Sequence, residues 1–115
     1  MAEKKDLKES KLFTPYKLND KVTLRNRTIR SAAFESMGKD FNPTQKLKDY
    51  HVSVAKGGVG MTTLAYASIN RSGVSFNSQL WLRDEVIEPL KDITDAIHAE
   101  GAAAVGKAVA EAAAK

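Results

Sequence analysis

Apolar and polar positions follow two patterns along the chain, with period two near the start and helical spacing further on. Tyr16–Leu18 and Val22–Leu24 alternate on either side of Asn19-Asp20, a pair that favours turns, and this predicts an antiparallel hairpin. Thr28–Ala33 follows and predicts a strand whose end bears only small side chains. A hairpin that leads into a strand is therefore expected.

A helix is predicted next from signals at both of its ends. Pro43-Thr44 indicates the start, because proline restrains the entry and threonine can cap free backbone amides. Gly57-Gly58 indicates the end, since glycine adopts the left-handed conformation of a C-terminal cap without steric cost. An apolar stripe at helical spacing lies between them. The stripe consists of Leu47, Tyr50, His51 and Val54.

A second strand and helix repeat this order. Val59–Ala67 is short, mostly apolar and contains β-branched residues, as expected for a strand buried on both faces of a parallel sheet. After a polar loop at Asn70–Gln79, Asp84-Glu85 places acids at the favourable end of a helix dipole, Pro89 falls near the first turn, and Gly101 ends the helix. Its buried stripe consists of Val86, Leu90, Ile93 and Ile97. The alternation of strands and helices predicts a parallel α/β fold.

The composition changes towards the end of the chain, which becomes rich in alanine after Gly101. Ala102–Val105 predicts the remnant of a third strand. Ala108–Lys115 favours a helix, because alanine has the highest helix propensity. We therefore expect a flexible charged tail at 1–10, an α/β portion at 11–104 and an alanine-rich helical tail at 105–115.

Composition excludes several functional classes. The chain has 115 residues, 43% of them hydrophobic and 28% charged, which is ordinary for a soluble globular domain. No apolar run approaches the roughly 18 residues that span a bilayer, and the charged start does not resemble a secretory signal. The absence of cysteine excludes disulfides and thiol chemistry and favours the cytoplasm. The net charge of +4 does not indicate nucleic-acid binding, because the basic residues form no dense block and no aromatic platform.

Three types of site are not supported by the residue spacing. Gly57–Gly60 is rich in glycine but follows a helix and precedes a strand, which is the wrong end of the helix dipole for a phosphate. His51 and His98 lie in helical patterns with no second ligand at metal spacing. No serine can be assigned to a serine, histidine and acid arrangement. We expect neither a metal nor a catalytic residue within this chain.

The predicted strand ends are the places where a ligand could bind. In parallel α/β barrels, ligands bind at the carboxyl ends of the strands. Ser31–Phe34 and Leu64–Ala67 lie at two such ends. Small side chains let a flat ring approach the backbone, but Ala32 and Ala33 could equally fill a crowded barrel interior.

Four stretches in this order resemble the old yellow enzyme family, the FMN-dependent NADH:flavin oxidoreductases. They are LFTPYKL, LRNRTIRSAAFES, YHVSVAKGGVGM and DEVIEPLKDITDAIHAEGA, and the resemblance extends from about Leu12 to Ala103. It implies a partial (β/α)8 TIM barrel, with the hairpin, about two βα units and a third strand remnant in this chain. It also implies a reaction in which NADH or NADPH reduces FMN, which passes hydride to an activated alkene or a similar small acceptor.

The resemblance implies a cofactor-binding set made of two strand ends. Ser31, Ala32, Ala33 and Phe34 would lie against the flavin ring, and the backbone near Ala65 and Tyr66 would reach its pyrimidine edge. The family often has proline and methionine where this chain has Ala32 and Ala33, and a small residue where it has Tyr66. Phe34 could narrow the pocket. Tyr66 could donate a hydrogen bond to flavin or substrate, but packing against a neighbouring loop is the favoured interpretation.

Most of a complete barrel is not represented in this stretch, including the late loops that bind phosphate. We therefore expect a chain that binds FMN weakly or not at all by itself and does not turn over substrate. Three parallel strands leave open sheet edges, which favours self-association or a complementing chain. The alternative function is a non-catalytic, self-assembling or engineered α/β module derived from the barrel.

Overall fold

The computed structural model describes residues 10–109, which form six short strands and two helices. The strands are β1 (Tyr16–Lys17), β2 (Thr23–Leu24), β3 (Ile29–Arg30), β4 (Met61–Ser68), β5 (Leu80–Trp81) and β6 (Ala103–Val109). The helices are α1 (Gln45–Lys56) and α2 (Ile87–Ala99), with single 3-10 turns at Lys11–Phe13, Arg71–Gly73 and Asp84–Val86. The predicted α/β class is confirmed.

The predicted hairpin is confirmed as the antiparallel pair of β1 and β2, in which Tyr16 lies opposite Leu24. The side chain of Asn19 forms its turn by accepting hydrogen bonds from the amides of Lys21 and Val22 at 2.9 and 2.8 Å. This is the asparagine turn that the sequence indicates.

The strand predicted at Thr28–Ala33 is shorter than expected. Only Ile29 and Arg30 pair with β4, in parallel register opposite Met61 and Thr62. The Arg30 side chain donates to the carbonyl of Thr63 at 2.7 Å, and the chain leaves the sheet directly after it. Residues 31–38 consequently have neither helix nor strand structure.

Helix α1 begins and ends at the predicted residues. Thr44 is its N-cap and accepts from the amide of Leu47 at 3.2 Å. Gly57 is the C-cap, and Gly58 adopts the left-handed conformation with φ of +105°. Leu47 and His51 are buried as the stripe predicts, and Ala55 completes the buried face.

Strand β4 is the centre of a four-stranded parallel sheet. It pairs with β3 through its first residues, with β5 through Ala67 and Ser68, and with β6 along most of its length. Helix α1 packs on β4, α2 packs on β6, and the two helices contact each other. The apolar core lies between the helices and the sheet. It contains Leu47, Ala55, Leu64, Ala67, Leu80, Ile93, Ile97 and Ala102.

The prediction of a helix at Ala108 and Val109 is wrong, because both residues belong to β6. Their strand pairs with Ala67 and Ser68 of β4. Backbone pairing within the sheet outweighs the helix propensity of alanine, which amounts to only about 0.5 kcal/mol per residue. The boundary drawn at residue 104 therefore falls inside a strand. The remainder of the expected helical tail, 110–115, and most of the charged tail, 1–9, lie outside the described residues.

The residues after the hairpin connect it to the ends of both helices. The guanidinium of Arg25 donates to the carbonyl oxygens of Ala55 at 2.6 Å, Val59 at 2.9 Å and Glu100 at 2.7 Å. A cation is favourable there, because the carbonyl groups at a helix C-terminus carry partial negative charge. Arg25 therefore joins the hairpin to the ends of α1 and α2.

The turn from α1 to β4 is tight, as predicted for Gly57–Gly60. Asn26 donates to the carbonyl of Gly58 at 2.6 Å. A β-carbon at Gly60 would lie 2.5 Å from the Asn26 carbonyl oxygen and 2.9 Å from that of Thr28, so only glycine fits without movement. Neither described helix has the length and apolarity needed to cross a membrane.

Candidate functional site

The candidate site lies between the segment that follows β3 and the second half of β4, which continues to Ser68 beyond the last residue of β3. Ser31–Phe34 begins directly after β3, without regular structure, and Ser31, Ala33 and Phe34 are exposed. Ala32 and Ala33 have only a methyl group beyond the backbone. A planar ligand can therefore come close to the main chain along this segment.

The pairing of β4 with β6 has a break, an irregularity of the β-bulge type, at Ala65 and Tyr66. The pairing of β4 with β6 shifts register between Leu64 and Ala67. The pairing with β3 ends at Thr62, and that with β5 begins at Ala67. Such irregularities are frequent next to active sites, because they release backbone groups from the ladder. Ala65 and Tyr66 thus lie inside β4 rather than at its end, they are half-buried, and their backbone is outside the regular pairing.

Three aromatic rings connect the segment after β3 with β4. The ring centroid of Phe34 lies 4.9 Å from that of Tyr66, at an interplanar angle of 58°. Phe34 also stacks on Phe76, with centroids 5.5 Å apart and an angle of 24°. The ring of Tyr66 therefore packs, which is the interpretation that the sequence favoured. Phe34 and Phe76 are 36% and 53% exposed, so they form an apolar wall at the edge of the site.

A buried carboxylate that sequence reasoning missed lies beneath these segments. The side chain of Glu35 is only 2% exposed. Its Oε1 accepts from Nη1 of Arg30 at 3.0 Å and from Nε2 of His51 at 2.8 Å. Its Oε2 accepts from the amide of Ala65 at 3.3 Å. Glu35 therefore contacts β3, β4 and helix α1 at once.

The partners of Glu35 are themselves held in place. Arg30 also donates to the Thr63 carbonyl, and its guanidinium lies 5.0 Å from the ring centroid of Tyr50. Nδ1 of His51, which is fully buried, lies 2.8 Å from Oγ1 of Thr62. The sequence pattern placed His51 in an apolar stripe and assigned no role to Arg30. Only the contact between β3, α1 and β4 reveals the network, because Glu35 and His51 are 16 residues apart.

The loop between this network and α1 contains unusual backbone. Ser36, Asp40 and Phe41 have φ values of +56°, +50° and +66°, although none is glycine. The neighbouring loop holds them: the amide of Gly38 donates to the Ser78 carbonyl at 2.9 Å, and that of Phe41 to the Asn77 carbonyl at 3.1 Å. Conformations of this kind each cost about 1–3 kcal/mol and cluster at functional sites.

The residues present fit a flat organic cofactor better than a metal ion. Within residues 10–109, no three histidine, cysteine or acidic side chains come close enough to bind a metal. The exposed small side chains and the break in the ladder both leave backbone groups accessible to a planar ring. A phosphate has no comparable place at Gly57–Gly60, which lies at the C-terminal end of α1.

Comparisons with known proteins show what the chain is similar to. Residues 11–109 match the NADH:flavin oxidoreductase / NADH oxidase family. The chain is 35% identical over 96 residues to the 4,4'-dithiodibutanoate disulfide reductase of Rhodococcus erythropolis, covering 84% of this chain and 24% of that protein. It is 37% identical over 99 residues to an NADPH dehydrogenase of Listeria welshimeri, covering 83% of this chain and 29% of that protein.

The fold is similar to that of solved old yellow enzymes. The structure of Old Yellow Enzyme from Pichia sp. AKU4542 superposes with a TM-score of 0.80 at 19% identity, covering 90% of this chain and 27% of that one. The chain thus spans less than a third of the length of the proteins that it matches. The β3–α1–β4–α2–β6 order is part of the barrel of those enzymes, and the match over residues 11–109 shows that the chain belongs to the NADH:flavin oxidoreductase / NADH oxidase family.

Proposed function

We propose that this chain supplies the part of an FMN-dependent oxidoreductase barrel that contacts the ring and one edge of the flavin. Ser31, Ala32, Ala33 and Phe34 would lie along the ring, and Ala65 and Tyr66 would lie at its pyrimidine edge. The observation that carries the proposal is the break in the β4 ladder, directly beside the exposed small-residue segment after β3. When bound, the flavin supplies the hydride chemistry.

The chain's own residues would bind the flavin ring, orient it and shield it from water. Ala32 and Ala33 leave the backbone accessible to the ring. The amide of Ala65 already donates to Glu35, so the group that Ala65 would present to the flavin is its carbonyl. Phe34 and Phe76 form an apolar wall at the edge of the site, which would limit the access of water to the bound ring from that side. Exclusion of water strengthens the electrostatic interactions inside an active site.

The proposed reaction of the whole protein is reduction of a small acceptor by NADPH or NADH. The name of the Listeria relative, an NADPH dehydrogenase, supports NADPH as the reductant. An activated alkene or a similar acceptor is proposed as the substrate. Phosphate-binding and acceptor-binding groups would come from the rest of the barrel, either in a longer chain or in a complementing one. The cytoplasm is the proposed location, and no nucleic-acid partner is proposed.

A chimera tests this proposal. The aligned segment of the Listeria NADPH dehydrogenase is replaced by residues 11–109 of this chain, and the purified product is examined by visible absorption. We expect a flavin band near one FMN per chain and bleaching of that band by NADPH. A folded, monodisperse chimera without flavin would contradict the proposal, and the parent dehydrogenase prepared in parallel is the control.

The second candidate, a self-assembling module, rests on the outer edge of β6. Within the described part of the chain, β6 pairs only with β4. An unpaired strand edge is a template for pairing with another chain. Light scattering of the 115-residue chain distinguishes the candidates: an oligomer that retains its circular dichroism and binds no FMN favours assembly without catalysis.

A further inference from the structure

Glu35 is a buried carboxylate whose hydrogen bonds bring together three separate elements. Arg30 is the last residue of β3, His51 lies in the middle of α1, and Ala65 lies at the break in β4. Each of them donates to the Glu35 carboxylate, at 3.0, 2.8 and 3.3 Å. Glu35 itself directly follows the segment Ser31–Phe34.

A buried carboxylate is stable only where its charge is paired and both of its oxygens accept hydrogen bonds. Burial removes the carboxylate from water, and only paired charges and good hydrogen bonds offset that loss of hydration. Here the guanidinium of Arg30 supplies the opposite charge, with its side chain 17% exposed. A carboxylate accepts from both oxygens, whereas an amide in its place could accept from only one atom. The full set of contacts therefore requires a carboxylate.

The geometry of the segment depends on both of its ends. Arg30 precedes Ser31–Phe34 and Glu35 follows it, so the ion pair between them closes a short loop around the four residues. Arg30 lies near the carbonyl of Ala33 as well, at 3.4 Å. The loop is fastened to β4 through the Ala65 amide and to α1 through His51. Its position relative to the break in β4 is thus set by one side chain.

The break in β4 also depends on Glu35. Ala65 lies outside the regular pairing of β4, so its amide needs another acceptor. Oε2 of Glu35 provides one from within the protein. His51 is fixed on its other side by Thr62, which prevents the imidazole from turning away.

We propose that Glu35 is a positioning residue, which holds Ser31–Phe34 and Ala65–Tyr66 in the relative arrangement that a flavin ring requires, with Arg30 and His51 as its supports. The assignment deepens the proposed function and rests on it. If Glu35 had a purely structural role, its substitution would change the backbone structure throughout α1 and β4. Substitution of a positioning residue changes mainly the two segments that face the ligand.

The test uses the isotope-labelled 115-residue chain without cofactor, followed by NMR. In the unmodified chain, we expect the Ala65 amide to exchange slowly with solvent. Glu35→Gln should accelerate that exchange by at least about tenfold, since one charge-assisted hydrogen bond is lost. Chemical-shift changes should concentrate at 31–34 and 65–66. Glu35→Asp, which keeps the charge on a shorter side chain, should give an intermediate result, and the exposed Glu88→Gln is the matched control.

Two results would overturn the proposal. One is an Ala65 amide that exchanges as fast as an exposed amide in the unmodified chain, a measurement that does not depend on the folding of any variant. The other is a folded Glu35→Gln chain whose shift changes are spread evenly over α1 and β4. In the chimera described above, Glu35→Gln should weaken FMN affinity by about tenfold. A flavin-free chimera together with the expected amide results would contradict the proposed function and leave the positioning of the backbone supported.

Discussion

The contact between Gly101 and Arg25 gives a quantitative prediction for the stability of the fold. Gly101 has φ of +88°, and a β-carbon there would lie 2.7 Å from Nη1 of Arg25. That nitrogen donates to the carbonyl of Glu100 at 2.7 Å. Gly101→Ala therefore has two costs: strained backbone, and displacement of a guanidinium that is held by carbonyl groups.

The two costs can be estimated separately. The left-handed conformation costs a residue with a β-carbon about 1–2 kcal/mol. Displacement of the guanidinium loses a hydrogen bond from a charged donor, about 1.5–3 kcal/mol, and partial exposure to solvent favours the lower end of that range. Gly101→Ala should therefore destabilise the chain by about 3 kcal/mol. In an Arg25→Met background, only the backbone strain of about 1–2 kcal/mol should remain.

A double-mutant cycle measures the difference. Urea unfolding is followed by far-UV circular dichroism and by the fluorescence of Trp81, whose agreement checks two-state behaviour. Gly58→Ala is the control for strain alone, since Gly58 has φ of +105° and its β-carbon would meet no atom within 4 Å. Gly106→Ala, with equally open space and no positive φ, controls for the added methyl group. The contact would be refuted if the losses of unfolding free energy in Arg25→Met and Gly101→Ala sum to the loss in the double variant within about 0.5 kcal/mol.

Two further predictions concern the helix turn and the helix surface. Gly60→Ala should destabilise the chain by about 3 kcal/mol or more, because its β-carbon would meet the backbone oxygens of Asn26 and Thr28, which cannot move aside as a side chain can. Wild-type-like urea unfolding of Gly60→Ala would contradict this. Separately, the hydrogen bond from Lys91 to Asp95, and then the charge of Asp95, raise the pKa of Lys91 above its usual 10.5. The pair therefore stabilises the fold below that value and loses its effect as the pH rises through the raised pKa. Asp95→Asn should lower the Lys91 pKa in an NMR titration, and identical midpoints would argue against the pair.

Local signals in the sequence were sufficient for the elements that depend on neighbouring residues. Thr44 and Gly58 mark the ends of α1 because a cap needs only a side-chain oxygen or a residue free to adopt positive φ. The turn at Asn19 is equally local. The order of strands and helices followed from these signals, and so did the parallel sheet.

The errors arise where distant residues decide the structure. β6 extends to Val109 because β4 offers a ladder along its length, and no local property of an alanine-rich stretch reveals that partner. β3 stops at Arg30, whose side chain binds the backbone of β4. Of the six expected cofactor residues, Ser31–Phe34 follows the end of β3, whereas Ala65 and Tyr66 lie inside β4, which continues to Ser68. Their contact with FMN stays a prediction. The sequence did not indicate the role of Glu35, because two of its three partners, His51 and Ala65, lie 16 and 30 residues away.

The most direct test of the central claim is a crystal structure of the FMN-loaded chimera. We predict that the backbone of Ser31–Phe34 lies in contact with the isoalloxazine ring, within about 4 Å, and that Ala65 and Tyr66 lie at its pyrimidine edge. A flavin bound elsewhere in the barrel, with both segments separated from the ring by other side chains, would contradict the assignment of this chain as the flavin-contacting part.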